Sequence, residues 1–319
     1  MSLNLLLSGP DPESVKALSS LLAVHPGVET VDPQIATILF GKNGLNDLHR
    51  SLQQSYHVNR MSKKVREFRE YARLHLSVEE LSELDVFLNQ ITAVEYEGMP
   101  FCDRSELTPA KTIRFERLRR KFKKNKRKPK MGSVYIPVGI QDFRLMASDF
   151  VDLLLSRRAG RKDSVRVMTA PEAFPAVQFN SLLLHKPVVV CLKQDPRNLY
   201  AHFKKRGDIW LGSHPGQFCR WFATNMKILK NEPGSENSIM FIQHEFVQAN
   251  AKSAAEMIFE KLDISPDLAS SEIFGNVTAD DTELYKSVCS DAELQIIEKE
   301  CSEWIEQAKN AIKTGVCDA

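Results

Sequence analysis

Residues 188–202 read Val188-Val189-Val190-Cys191-Leu192-Lys193-Gln194-Asp195-Pro196-Arg197-Asn198-Leu199-Tyr200-Ala201-His202. The apolar, β-branched run at the start predicts a buried strand. Pro196 cannot donate to a strand ladder but fits the first position of a helix. Asp195 stands directly before it, where an N-cap belongs. The stretch therefore predicts strand, tight turn and helix, with Gln194 to Arg197 at the carboxyl end of a sheet strand. In open α/β sheets that edge is where ligands bind.

A second corner of the same kind opens the chain. Leu3 to Ser8 is a short apolar run, followed by Gly9-Pro10-Asp11-Pro12-Glu13. From Ser14 to Val24 apolar residues recur at helical spacing, with Val15, Leu18, Leu21 and Leu22 on one face. Strand, glycine-containing loop and helix is the geometry in which a helix N-terminus binds phosphate. The chemistry of this loop works against it. Asp11 and Glu13 would each repel an anion by roughly 1 kcal/mol at ~4 Å even in a water-like dielectric. Pro12 removes one backbone donor. Gly9, Ser14 and the helix N-terminus remain for a phosphate, with Lys16 near enough to help.

Two further strands are predicted, Val165 to Met168 and Ser238 to Ile242, the second leading into Gln243-His244-Glu245. Helices are predicted over Phe174 to Leu184, Phe218 to Leu229 and Lys252 to Leu262. A last amphipathic helix runs through Leu294, Ile297, Cys301, Trp304 and Ile305. Between Asn43 and Thr92 the pattern is helical throughout, and Ser77 with Glu80 forms a capping box. Ser148 to Arg158 is helical again, up to Gly160.

At 319 residues, 43% hydrophobic and 26% charged, the chain has the makeup of an ordinary globular protein with a full core. No run of about 18 apolar residues predicts a transmembrane helix, and the first residues lack the basic start and cleavage site of a signal peptide. The six cysteines form no C-x-x-C pair, so reduced thiols and a cytoplasmic setting are expected rather than a disulfide frame or a metal site. Lys111 to Lys130 holds twelve basic residues against Glu116, so the segment carries +11 and the rest of a +2 chain carries −9. Such a run either docks a polyanion or forms a solvated loop.

The strand followed by Asp195-Pro196-Arg197 resembles the 3′-phosphate segment of the sulfotransferase family, written R-D-P-R-x-x-x-x-S. The opening strand, Gly9, Leu18, Leu21, Leu22, His25 and Pro26 are similar to that family's first segment, and His244-Glu245 sits where it has Y-E. The resemblance implies an α/β fold: a central, mostly parallel sheet flanked by helices, P-loop-like. It implies one domain over residues 1–319 with a helical cap at 43–160, and sulfuryl transfer from PAPS to a hydroxyl acceptor, carbohydrates included. In that pattern Gln194 and His202 take the two 3′-phosphate positions, and Met168 replaces a lysine near the transferred group. Arg197, His202, Ser14, Lys16 and Lys193 are the residues left to hold phosphates, and His185, His214 and His244 are the candidate bases. Two functions follow: a PAPS-dependent transferase with an altered donor site, or a protein that has lost donor binding and serves as a binding or scaffold module, contacting a polyanion through Lys111 to Lys130.

Overall fold

Leu5, Leu6 and Leu7 are almost wholly removed from solvent because the strand that carries them is the middle one of five. In a computed structural model, which describes residues 4–54, 58–98, 132–158, 164–231, 239–265 and 283–314, this strand is β1 (Asn4–Ser8). It pairs in parallel with β5 (Val165–Thr169) on one side and β6 (Val188–Lys193) on the other. β2 (Val28–Thr30) extends the sheet beyond β5, and β7 (Ile239–Gln243) extends it beyond β6. The order is β2-β5-β1-β6-β7, all parallel. Continuous apolar strands suit this position because both faces of the sheet are covered.

The chain leaves β1 toward one edge, returns as β5 beside β1, then crosses to the other side for β6 and β7. The reversal falls at β1, so the crevice outside the carboxyl ends of β1 and β6 is a topological switch point. Ser8 lies opposite Cys191 across this pair, which sets the two strand-to-helix corners side by side. Gly9 allows them to close up: a Cβ there would stand 3.0 Å from Leu192 Cβ and 3.1 Å from its carbonyl oxygen.

Two helices leave these corners, α1 (Pro12–Leu22) and later α8 (Pro196–Lys205). α2 (Pro33–Phe40) begins at Pro33, three residues past the end of β2 at Thr30. The stretch after β5 was expected to be one helix over 174–184. It is instead a 3₁₀ turn (Pro171–Ala173), a cis Phe174–Pro175 bond and α7 (Val177–Ser181). Pro175 and the turn ahead of it leave room for only five helical residues. After α8 come α9 (Pro215–Asn231), then β7, α10 (His244–Ala249) and α11 (Ala251–Lys261). α12 (Tyr285–Val288), α13 (Asp291–Glu300) and α14 (Ser302–Thr314) follow. The single closing helix expected through Cys301 is thus two, because Cys301 leaves helical geometry at φ −117°, ψ 19°. The apolar stripe passes through the bend, so its spacing gave no sign of it.

Residues Gly41–Phe150 cluster as a second unit apart from Met1–Phe40 and Val151–Ala319. It holds α3 (Leu45–Gln54), α4 (Val58–Arg73) and α5 (Val78–Gln90), with the Ser77/Glu80 capping box in place. α6 (Ile140–Arg158) begins within it. A two-stranded antiparallel sheet, β3 (Thr92–Gly98) with β4 (Gly132–Pro137), was not foreseen. His49 is buried there, stacks on Phe143 at 5.8 Å and accepts from Arg144 Nε at 2.9 Å. Burial, then the charges of Arg144 and Arg50, bring it down to about 4. The basic segment Lys111–Lys130 and Gly160 lie outside the described residues.

Candidate functional site at the carboxyl edge of the sheet

Both corners end in Asp-Pro, and in both the aspartate caps the helix that follows. Asp11 accepts from Ser14 N at 3.2 Å and from Ser14 Oγ at 2.6 Å. Its other oxygen accepts from Arg206 at the end of α8. Asp11 is 1% exposed. Burial alone would push its carboxyl up, but the Ser14 and Arg206 hydrogen bonds outweigh this and hold it below the usual carboxylate value. At the second corner Asp195 accepts from Arg197 N at 2.8 Å, and the Arg197 side chain returns to both carboxylate oxygens at 3.1 and 2.7 Å.

The Arg197 guanidinium is thus held by the aspartate that caps its own helix. Its third nitrogen reaches Glu298 at 3.3 Å, and the guanidinium lies 4.4 Å from the centre of the Tyr285 ring. Desolvation disfavours its charge, yet Asp195 and Glu298 raise its basicity further. Beneath it Glu245, 2% exposed, accepts from Asp195 N and Asn198 Nδ2, each at 3.0 Å, and from Gln243 Nε2. Burial, then the charge of Asp195, push the Glu245 carboxyl up.

Among the predicted residues, Ser14, His202 and His244 come together. Ser14 Oγ lies 3.3 Å from His244 Nε2, and the rings of His202 and His244 are 6.3 Å apart. Since the Ser14 proton goes to Asp11, the hydroxyl oxygen is left to accept from His244 Nε2–H. A nucleophilic serine needs the opposite arrangement, with the histidine taking its proton. Lys16 is exposed on α1. Met168 is buried in β5. His214 is exposed on the turn into α9.

His185 is elsewhere. It pairs with Asp152 at 3.8 Å, and Asp152 in turn accepts from Asn4 at 3.4 Å. Asn4 begins β1, so His185 stands at the amino edge of the sheet, opposite the site. A residue in the turn entering a parallel strand can only lie there. His25 is structural: its Nδ1 accepts from Gly27 N at 3.0 Å and its Nε2 lies 3.1 Å from the Ser265 carbonyl.

The last turn of α8 is tied to α13 by Glu293, which accepts from Lys204 at 2.6 Å and Tyr200 at 3.0 Å while capping its own helix at Ser290. Burial opposes the charge, but these donors together hold Glu293 down at about 2. A lowered carboxyl stabilises the fold above its ordinary value near 4.5 and loses that contribution as pH falls toward 2. Glu293 is partly exposed, so the contribution stays under about 1 kcal/mol. Melting temperature followed from pH 5 down to pH 2 should fall by about 1–3 °C less in Glu293→Gln than in the natural chain. Parallel acid curves for the two chains would show that the cluster contributes nothing.

Alongside the corners lies a cavity of about 280 Å³. Pro10, Lys193, Gln194 and Gln243 form its floor at the ends of three strands. Phe174 and residues of α9 and α14, Trp304 among them, form its walls. The sequence flagged Lys193 and Gln194. It did not flag the aromatic walls, whose residues come from separate segments with no shared spacing. Lys193 is buried with Nζ 4.5 Å from the centre of the Phe241 ring.

No family model matches the sequence, and no curated protein matches it. Among solved structures the chain is similar to the sulfotransferase domain of the Synechococcus PCC 7002 olefin synthase, over 94% of each chain, with 13% identity and a TM-score of 0.45. It is also similar to the sulfotransferase domain of the curacin biosynthetic pathway, over 94% of this chain and 97% of that one, with 11% identity and a TM-score of 0.40.

Proposed function

We propose that this chain is a ligand-binding protein on a sulfotransferase-like frame, in which the corner that would take the PAPS phosphosulfate is closed by the protein's own carboxylate. The supporting observation is Asp11. It lies at the N-terminus of α1, takes up the Ser14 N–H, and is neutralised by Arg206. Pro12 has no N–H to offer. An incoming anion would have to displace a buried, hydrogen-bonded carboxylate from the position a helix N-terminus offers to phosphate. At the second corner, Gln194 supplies no charge where the family's 3′-phosphate pattern has arginine, and Arg197 is held by Asp195 and Glu298. Sulfuryl transfer to a hydroxyl acceptor, a carbohydrate or another, has no donor in this reading.

Calorimetry with PAP tests it. The natural chain is expected to give no saturable heat at millimolar nucleotide. Saturable binding there would restore the PAPS-dependent transferase.

A further inference from the structure

Ile209 and Trp210 stand at the tip of the turn between α8 and α9, 77% and 73% exposed. The turn that carries them is tightly built. Gly207 takes φ +72°, and the Asp208 N–H donates to the Phe203 carbonyl at 3.0 Å. The Asp208 carboxylate accepts from the N–H groups of Trp210 and Leu211, each at 2.8 Å. Leu211 packs against the aromatic cluster that includes Phe203 and Phe218. Gly212 lies against α8, where a Cβ would stand 2.7 Å from the Lys204 backbone. The fold thus fixes an isoleucine and a tryptophan, side by side, in water. Single scattered apolar side chains need no explanation, but a contiguous pair held outward marks a contact.

The charge around the pair says with what. Residues 196–231 hold seven basic residues against one acid, Asp208, and so carry +6 in a chain of +2. That one acid is spent on capping its own turn. Lys205 is exposed just ahead of the turn, and Arg220 and Lys227 are exposed on α9. The complementary partner is an anionic surface that also takes up apolar side chains. A protein partner fits less well, because a stable contact needs about 800 Å² from each side and one aromatic side chain supplies only ~150–250 Å². A bilayer has no such requirement. Its headgroup region takes up tryptophan, and its anionic lipids draw basic residues to the surface.

We propose that the Ile209–Trp210 turn is a docking tip that inserts into the headgroup region of an anionic bilayer, with Lys205 and its basic neighbours meeting the lipid charge. The chain would lie on the surface: among the described residues no helix is long and apolar enough to cross a membrane. The proposal does not depend on the closed corner and stands or falls without PAP.

The test follows the tryptophan emission of the full chain on vesicles of phosphatidylcholine brominated near the top of the acyl chains, with or without phosphatidylserine. Of the three tryptophans, Trp221 and Trp304 pack against the aromatic cluster, so quenching reports Trp210. The expected result is a blue shift and quenching on the phosphatidylserine vesicles, weakening as salt is raised. In sedimentation with the same vesicles, Ile209→Ser/Trp210→Ser should bind at least about tenfold more weakly. Trp210→Phe should keep the binding and lose the quenching. No quenching in the natural chain, or equal quenching on vesicles without phosphatidylserine, would overturn the proposal. So would unchanged binding by the serine variant, which would pass the vesicle contact to another surface such as Lys111 to Lys130. An emission shift that follows protein concentration and ignores vesicles would make the turn a protein contact and overturn it as well. The quenching comparison within the natural chain holds whether or not the serine variant folds.

Discussion

Asp11→Asn is expected to open the first corner, with PAP binding that the natural chain does not show. Asparagine caps a helix about as well as aspartate, so α1 should keep its start and the chain its fold. What disappears is one negative charge. At ~4 Å and an effective dielectric near 20, a like charge costs an incoming anion about 4 kcal/mol, roughly three decades of affinity. Arg206, freed from its carboxylate, becomes a cation for the phosphate, with His202 nearby in the same cluster. A gain of at least about a hundredfold over the natural chain should therefore appear by calorimetry. Glu13→Gln is the control: Glu13 is exposed on the first turn, so its removal should change PAP binding by no more than a few-fold. If a folded Asp11→Asn chain still gives no heat, the aspartate is not what closes the corner.

Glu245→Ala should lower stability by about 3–5 kcal/mol. Three buried donors, the Asp195 N–H and the amides of Asn198 and Gln243, lose their acceptor at once. Each is in a place water does not reach freely, and an unsatisfied donor there costs roughly 1–3 kcal/mol. Glu245→Gln keeps the shape and one acceptor but turns an NH₂ toward a donor, so its loss should be intermediate. Urea unfolding of the three chains measures this through the midpoint at constant slope. A loss below about 1 kcal/mol for the alanine variant would mean that the ends of β6 and β7 are held by packing and not by this carboxylate.

How far the sequence could carry the reading depended on whether the signal was local. Strand, Asp-Pro and helix are written within a few residues at both Asp11-Pro12 and Asp195-Pro196, and both corners form in that way. No local pattern says that the two face one crevice; the pairing of Ser8 with Cys191 is what sets them side by side. The fate of Arg197 was hidden, because Glu298 lies about a hundred residues away and no local pattern names a distant ion-pair partner. Arg206 was visible as one of three basic residues ending a helix, but its contact with Asp11 spans most of the chain. β3 was missed although Val94 and Tyr96 alternate with Glu95 and Glu97. Its partner begins at Gly132, and without a nearby turn the alternation was absorbed into the helical pattern before it.

The cavity draws one wall from α14, the last helix described, and its floor from strands laid down much earlier. A nascent chain translated only as far as Cys301 would already have all five strands of the parallel sheet and both Asp-Pro corners. It would still lack the helix that closes the hollow. Until that helix docks the hollow lacks one of its walls, so it takes shape only after the residues beyond Cys301 have been made.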